Sequence, residues 1–493
     1  MTRSIRLPPC VVASAVTLFT VACATIPPAT PKGATTLCTR GTTGIEPTDI
    51  SFALRASRSL GAGVTGAAVD DVLPGSPAEK AGVKQGDVIV RVGDRNVSNA
   101  CDATEALFAL SCAPVELELL RDAGTSTLRI VPVEQNAFLN AACDAGSAKA
   151  CFRLAWARWS GSGIERDQGV ARALYRQACD GGAAEACAYL GYHLLDEKAP
   201  AVKVVRMLAR ACELGSGAGC AHLAYMYATG TLVERDDAMS TPIYMRACEL
   251  GDAKGCYNVG IMYRDGRGVA GDKDRAIIAY EQGCRDGSAT ACTDLGWYYQ
   301  YGEGVAKDEV HGVDLYRRGC EGTSCQKPNR RGCVNLGLAY RDGIGVEADP
   351  KRAEEILLAA CQDDVDPDDV NPGDSRWHAC SLLGSMYLTG RGVAADAKKG
   401  LDYSARGCEG SDPFGCYNAA VIYAVGMGVE PDMARAADYY LLACDFDDAE
   451  ACDALASLYE KGDGVEKDHA RAKALYEKAC AAGFKPACVP ARR

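Results

Sequence analysis

Two periodicities divide the chain. Between residues 42 and 133, apolar and polar residues alternate in short Val-rich runs, as in Asp87-Val-Ile-Val-Arg-Val92 and Val115-Glu-Leu-Glu-Leu-Leu120. A period of two sets one side-chain face against a core, so these runs predict β-strands, and Ala103 to Leu110 between them predicts a short helix. From residue 134 onward the spacing becomes helical and one pattern keeps returning. A cysteine is followed by Leu or Ala with Gly, then Tyr, a G-x-G-V-like loop, Ala at helical spacing, a second Tyr and Ala-Cys. It reads Cys256-Tyr-Asn-Val-Gly260, Tyr263, Gly266-Arg-Gly268-Val269, Ala276, Tyr280 and Cys284, and again Cys416-Tyr-Asn-Ala-Ala420, Tyr423, Gly426-Met-Gly428-Val429, Ala436, Tyr440 and Cys444. Each copy predicts a helix–loop–helix hairpin. One hairpin cannot bury both of its faces, whereas a row of about nine can. The expected fold is multidomain: a β-rich domain followed by an all-α solenoid.

The cysteines act as a ruler. Of 26 in the chain, most form C-x7-C pairs: Cys143 with Cys151, Cys179 with Cys187, Cys212 with Cys220, Cys248 with Cys256, Cys284 with Cys292, Cys408 with Cys416, Cys444 with Cys452, and Cys480 with Cys488. Two pairs are stretched, Cys320 with Cys333 and Cys361 with Cys380, and the extra residues lie inside the pair, so the hairpin body is intact. On one continuous helix, residues eight apart stand roughly 12 Å apart, while a disulfide needs Cα atoms about 4.4–6.8 Å apart. The chain must therefore turn back inside each pair. A Gly three residues after the first Cys, at Gly146, Gly182, Gly215, Gly251, Gly287 and Gly483, is placed to end a helix in the left-handed conformation. Each bridge is expected to staple the end of one helix to the start of the next. Metal binding by thiolates fits less well, because structural zinc favours C-x2-4-C knuckles.

Composition and charge narrow the partners. Hydrophobic residues make up 48% and aromatics only 7%, which suits helices packed through small residues. A formal net charge of −12 argues against nucleic acid, which needs a basic patch to displace counterions. Arg3 and Arg6 flank a short apolar run, Val11 to Ala22, and small residues surround Cys23. The run is too short for a permanent membrane span and reads as an export signal. Thr20-Val21-Ala22-Cys23 resembles a bacterial lipobox, with Thr20 departing from the usual aliphatic residue; Cys23 is thus the candidate lipidation site, and cleavage after Ala24 is the competing outcome. Membrane contact is expected only through that anchor. An exported chain sits where disulfides form.

The repeating pattern resembles the Sel-1-like repeat family, related to tetratricopeptide repeats, and in particular its cysteine-rich bacterial branch, from residue 134 to 493. The copy starting at Cys187 departs from it, with Leu195-Asp-Glu-Lys-Ala-Pro200 in place of the G-x-G-V loop. Within residues 42–133, Gly75-Ser-Pro-Ala-Glu-Lys-Ala-Gly82, Gly86-Asp87-Val-Ile and Gly93 resemble the signature of bacterial PDZ domains. Residues 1–23 then form the signal and 24–41 a linker. The resemblance implies that an extended peptide adds as a strand beside an open edge, its terminal carboxylate held by backbone N–H groups. Arg58-Ser59-Leu60-Gly61 is the best match to that carboxylate loop, and a structural cap on the solenoid is the alternative role. Cys101 and Cys112 are placed to pair, leaving Cys38 unpaired or bonded to Cys325.

Candidate chemistry is sparse. Some cysteine-rich members of the repeat family are described as β-lactam-binding or hydrolysing, so a periplasmic β-lactamase-like or penicillin-binding hydrolase is the alternative function. Ser324-Cys-Gln-Lys327 has the S-x-x-K form, but the S-D-N and K-T-G companions are missing. His193, His222, His311, His378 and His469 are dispersed and read as packing or surface residues. Asp364, Asp366 and Asp368 alternate within an acidic insertion and form a weak calcium candidate, without the Gly and terminal Glu of an EF-hand loop. The G-x-G elements lie between helices, so they read as turns and not phosphate loops. The sequence therefore points to a non-catalytic protein–protein interaction scaffold of the bacterial cell envelope. It implies no cofactor and a protein or peptide partner docked on the concave face of the repeats.

Overall fold

The computed structural model describes residues 41–42, 45–49, 66–73, 76–97, 103, 106–107, 114–121, 124–130, 133–162, 164–322, 328–362 and 375–488. They belong to two compact units, one ending at Ser288 and one beginning at Ala289.

The first unit opens with short strands: β1 (Gly41–Thr42), β2 (Ile45–Asp49), β3 (Ala67–Val72), β4 (Val88–Val92), β5 (Arg95–Asn96), β6 (Val115–Arg121), β7 (Gly124–Ile130) and β8 (Val133–Glu134). An antiparallel sheet runs in the order β2-β3-β4-β6-β7, with β5 beside β4, and β1 pairs β8 separately. The alternating runs behave as their period requires. Leu117 and Leu119 are fully buried with Val69, Ile89 and Ile130, while Glu118 faces outward and takes Arg91 Nε at 2.8 Å. Ala103, Ala106 and Leu107 are helical and buried against the same core.

The glycine-rich signature here has a mechanical explanation. Ser76 caps the helix Pro77–Ala81 by accepting from the Glu79 N–H, Pro77 sits at its first turn, and Gly82 ends it at φ +85°. Asp87, almost fully buried, accepts from Arg121 Nε at 2.8 Å and Nη2 at 2.5 Å, and from the Lys84 N–H at 2.9 Å. Arg121 Nη2 also donates to the Gly82 carbonyl at 2.8 Å. The Gly-Asp element thereby ties the end of β6 to the capped helix.

A helix at Gln135–Asp144 leads into the hairpins. Four lie in the first unit, with first helices at 148–160, 184–196, 217–229 and 253–265, each followed by a partner helix. Five lie in the second, with first helices at 289–301, 330–342, 375–389, 413–425 and 449–461. In the first unit the disulfides are Cys143–Cys151, Cys179–Cys187, Cys212–Cys220 and Cys248–Cys256. In the second they are Cys320–Cys333, Cys361–Cys380, Cys408–Cys416, Cys444–Cys452 and Cys480–Cys488. Cα separations run from 4.4 to 5.0 Å, within the range a disulfide spans without moving the backbone. Cys284 and Cys292 are each disulfide-bonded as well.

Cys452 shows why the spacing of eight works. It lies in the first turn of helix 449–461, only 1% exposed, with its Cα 4.7 Å from that of Cys444 at the end of helix 433–445. Its Sγ also lies 3.7 Å from the Cys444 carbonyl. The turn through Asp447 brings the two helix ends together, so Cys452 is a buried staple and its sulfur is not free to act as a metal ligand or nucleophile.

Three local devices repeat. The glycine three residues after the leading Cys is left-handed at Gly146, Gly182, Gly215, Gly251, Gly287 and Gly483, with φ between +81° and +100°. Where glycine is missing, Ser411 and Asp447 adopt the same conformation at φ +66° and +65°. The second device is an aspartate cap on the partner helix: Asp272 accepts from the Arg275 N–H at 3.0 Å and donates its own N–H to the Tyr263 carbonyl at 2.9 Å. Asp236, Asp308, Asp349, Asp396, Asp432 and Asp468 do the same. The third is close packing of the two helices. A Cβ on Gly260 would strike the Tyr280 ring, and one on Gly296 the Tyr316 ring. Tyr175, Tyr244, Tyr280, Tyr316 and Tyr476 are all at most 2% exposed, so the tyrosine stripe is core.

Candidate protein-docking faces

In a solenoid hairpin the core uses the side of each first helix that meets its partner, so the opposite side is where a ligand would meet the chain. Aligning the hairpins on the second cysteine of each pair compares one first-helix position along the array. Five residues after it stand Trp156, Tyr192, Tyr225 and Ile261 in the first unit, and Trp297, Leu338, Ser385, Val421 and Ser457 in the second. Trp156, Tyr192, Leu338 and Val421 of this row pack against the hairpin cores, whereas Tyr225 and Trp297 are 49% and 44% exposed.

Side-chain contacts show that first helices of successive hairpins stand next to one another. In the first unit the Tyr192 hydroxyl lies 3.0 Å from His222 Nδ1, which also lies 2.9 Å from the Ala218 carbonyl. Burial lowers the His222 pKa. Asp252 and Lys254 share the neighbourhood: burial raises the Asp252 carboxyl, which caps the next helix through the Gly255 N–H at 2.6 Å, and lowers the Lys254 ammonium. Tyr225, one turn beyond His222, is 49% exposed. This strip is thus partly desolvated, with one large ring presented to solvent.

In the second unit Trp297 and Tyr301 stand one turn apart on helix 289–301, ring centroids 5.2 Å apart, and are 44% and 58% exposed. Beside them, Asp294 pairs with Arg331 of the following hairpin. Neighbouring Gln300 accepts from the buried Tyr316 hydroxyl at 2.6 Å, which fixes the helix bearing the two rings to its partner. Adjacent exposed aromatics flanked by a charged pair are typical of surfaces that bury an interaction anchor.

Arg58 to Gly61, Cys23, the Ser324–Lys327 motif, Asp364, Asp366 and Asp368, and Cys38, Cys101, Cys112 and Cys325 lie outside the described residues. The histidines are spread through the fold. His193 packs on Trp159, His311 meets Tyr299 edge-on at 4.5 Å, His378 Nδ1 is 3.3 Å from Asp412, and His469 opens helix 469–481. Among the described residues no group of three His, Cys, Asp or Glu is arranged to hold a metal ion. No described helix is long and apolar enough to cross a membrane.

Family comparison settles the nature of the repeats. The Sel1 repeat model matches at residues 148–182, 217–252, 253–288, 289–324, 331–365, 377–412, 413–445 and 449–484, more than half of the chain. The chain belongs to the Sel1 repeat family. The unmatched stretch between 182 and 217 holds the hairpin whose loop runs Leu195 to Pro200. The PDZ domain model matches residues 69–121. A protective antigen present in uropathogenic Escherichia coli strains, displaying an SLR fold, is similar in structure, with TM-score 0.52 and 24% identity over 72% of this chain and 81% of that one. A Sel1 repeat protein from Oxalobacter formigenes covers 64% of this chain and 87% of its own at 24% identity and TM-score 0.48. A putative zinc metalloprotease of Thermotoga maritima is 32% identical over 74 residues, 15% of this chain, and the match spans only 14% of that protein. Sel1 repeats and a PDZ domain together suggest a protein–protein interaction scaffold, and the disulfides of this Sel1 chain point to an oxidising, extracytoplasmic compartment.

Proposed function

We propose that the protein is a non-catalytic scaffold of the bacterial cell envelope, holding a protein partner on the first-helix faces of its repeats. The exposed pair Trp297 and Tyr301 carries this reading. Two large rings exposed side by side offer an anchor for a partner, and truncating such anchors removes most of an interface's affinity. Tyr225 offers a comparable anchor in the first unit.

The PDZ segment, taken as residues 42–133, is proposed to bind an extended peptide by strand addition, with Arg58, Ser59, Leu60 and Gly61 holding its terminal carboxylate. Residues 1–23 would direct export and Cys23 would carry the lipid anchor, with 24–41 as tether and 134–493 as the docking array. No partner chemistry in this scheme requires a cofactor.

Site-specific photocrosslinking in the envelope tests the reading. A photoreactive residue at Trp297 should trap a discrete protein adduct, and one at Val310, which is 69% exposed on a partner helix, should not. Equal labelling at both positions, or none at Trp297, would refute docking on this face.

A further inference from the structure

Three features coincide in the hairpin of residues 184–213, one of which, a left-handed non-glycine loop residue, it shares with Leu232 of the next hairpin. Its connecting loop has no aspartate cap: Pro200 precedes the partner helix without a side-chain hydrogen bond. Lys198, with no glycine to relieve it, is left-handed at φ +53°. One turn before this loop, His193 is only 8% exposed, and neither ring nitrogen has a hydrogen-bond partner among the described residues.

His193 joins Tyr189, which packs on Phe152 and Tyr175, in the contact between this hairpin and the preceding one. Its ring lies on Trp159 of helix 148–160, centroids 3.7 Å apart and 33° between planes. It also meets Tyr175 of helix 168–180 at 5.5 Å, whose buried hydroxyl is likewise unpartnered. Tyr189 faces it from its own helix at 6.3 Å. The charge acting on the ring comes from Arg172 of helix 168–180, which pairs with Glu197 at 2.6 Å. Helix 201–213 approaches through apolar Leu208, packed where a Cβ on Gly191 would sit.

A neutral imidazole fits this box as one more aromatic ring. An imidazolium would be a desolvated cation beside a guanidinium, with no acceptor for either N–H. We propose that hairpin 184–213 is an acid-triggered joint: protonation of His193 breaks its packing on Trp159 and Tyr175, and the hairpin opens while its neighbours stay folded. The bridges Cys179–Cys187 and Cys212–Cys220 tether it at both ends, so opening is local.

The sign follows from linkage. Burial, with Arg172 adding to it, pushes the His193 pKa down from 6.5 to about 4. The open state therefore binds the proton more tightly, and opening increases as pH falls from 6.5 toward 4.

Amide hydrogen exchange on the oxidised, full chain at pH 7.5 and pH 5, corrected for intrinsic exchange, tests the joint. The expected result is an increase on the order of tenfold in the opening of 184–213 at pH 5, with hairpin 449–481 unchanged, and loss of that increase in His193→Phe. Should His193→Phe fail to fold, His193→Gln, which also cannot take up a proton, serves the same purpose. An acid response that persists in the neutral variant, or no acid response in the wild type, would overturn the proposal.

Discussion

At Asp447 and Ser411 the chain adopts at φ +65° and +66° a conformation that six other helix-ending turns assign to glycine. A non-glycine residue there costs roughly 1–2 kcal/mol, part of which is offset because glycine loses more freedom on folding. Asp447→Gly should therefore stabilise its turn by about 0.5 kcal/mol. Conversely, Gly251→Ala, whose added Cβ meets nothing within 4 Å, should cost about 1 kcal/mol through the backbone alone. Because hairpins open separately, local amide exchange at residues 433–461 and 237–265 is the appropriate measurement. Glycines at C-x2-G were legible as helix stops because one residue type is required there. The exposure of Trp297 and Tyr301 was not legible, since spacing alone does not separate a ring facing a neighbour from one facing solvent.

Among elements, the hairpin is specified redundantly. In seven hairpins the aspartate that caps the partner helix also closes the loop by donating its N–H to the carbonyl of the tyrosine nine residues earlier, as Asp272 does to Tyr263. That tyrosine then receives a cation over its ring: Arg275 over Tyr263 at 5.6 Å, Arg435 over Tyr423 at 5.4 Å and Arg471 over Tyr459 at 5.6 Å. Asp272→Ala should destabilise its hairpin by about 1 kcal/mol, seen as faster exchange in helix 273–285. The sequence pattern showed the G-x-G turn and the Tyr–Gly core because their residues recur at fixed offsets. The aspartate recurs as regularly, but its role depends on which backbone N–H it reaches, and only the loop geometry shows that. Hairpin 184–213 displays the converse: a visible departure in sequence marks the one hairpin whose partner helix lacks a side-chain cap among those described.

At the scale of the whole molecule, the described bridges inside the array join consecutive hairpins and not the two helices of one hairpin, as Cys444–Cys452 joins helix 433–445 to helix 449–461, while Cys143–Cys151 and Cys480–Cys488 fasten its two ends. A bridge closing so short a loop is worth about 2–3 kcal/mol, so reduction should unfasten neighbour from neighbour along the array. The two-part fold was legible because strand and helix periods differ and because paired cysteines report chain reversals. The proposed docking faces were legible only as a class, since a repeat sequence names its packing positions and leaves the remaining surface to be sorted by exposure.

The central claim, an exported interaction scaffold held rigid by neighbour-to-neighbour bridges, is most directly tested by non-reducing peptide mapping and intact mass of the mature protein recovered from cells. We predict linked peptides joining each C-x7-C pair and the stretched pairs Cys320–Cys333 and Cys361–Cys380, on a chain that begins at an acylated Cys23. Free thiols at these positions would contradict the account.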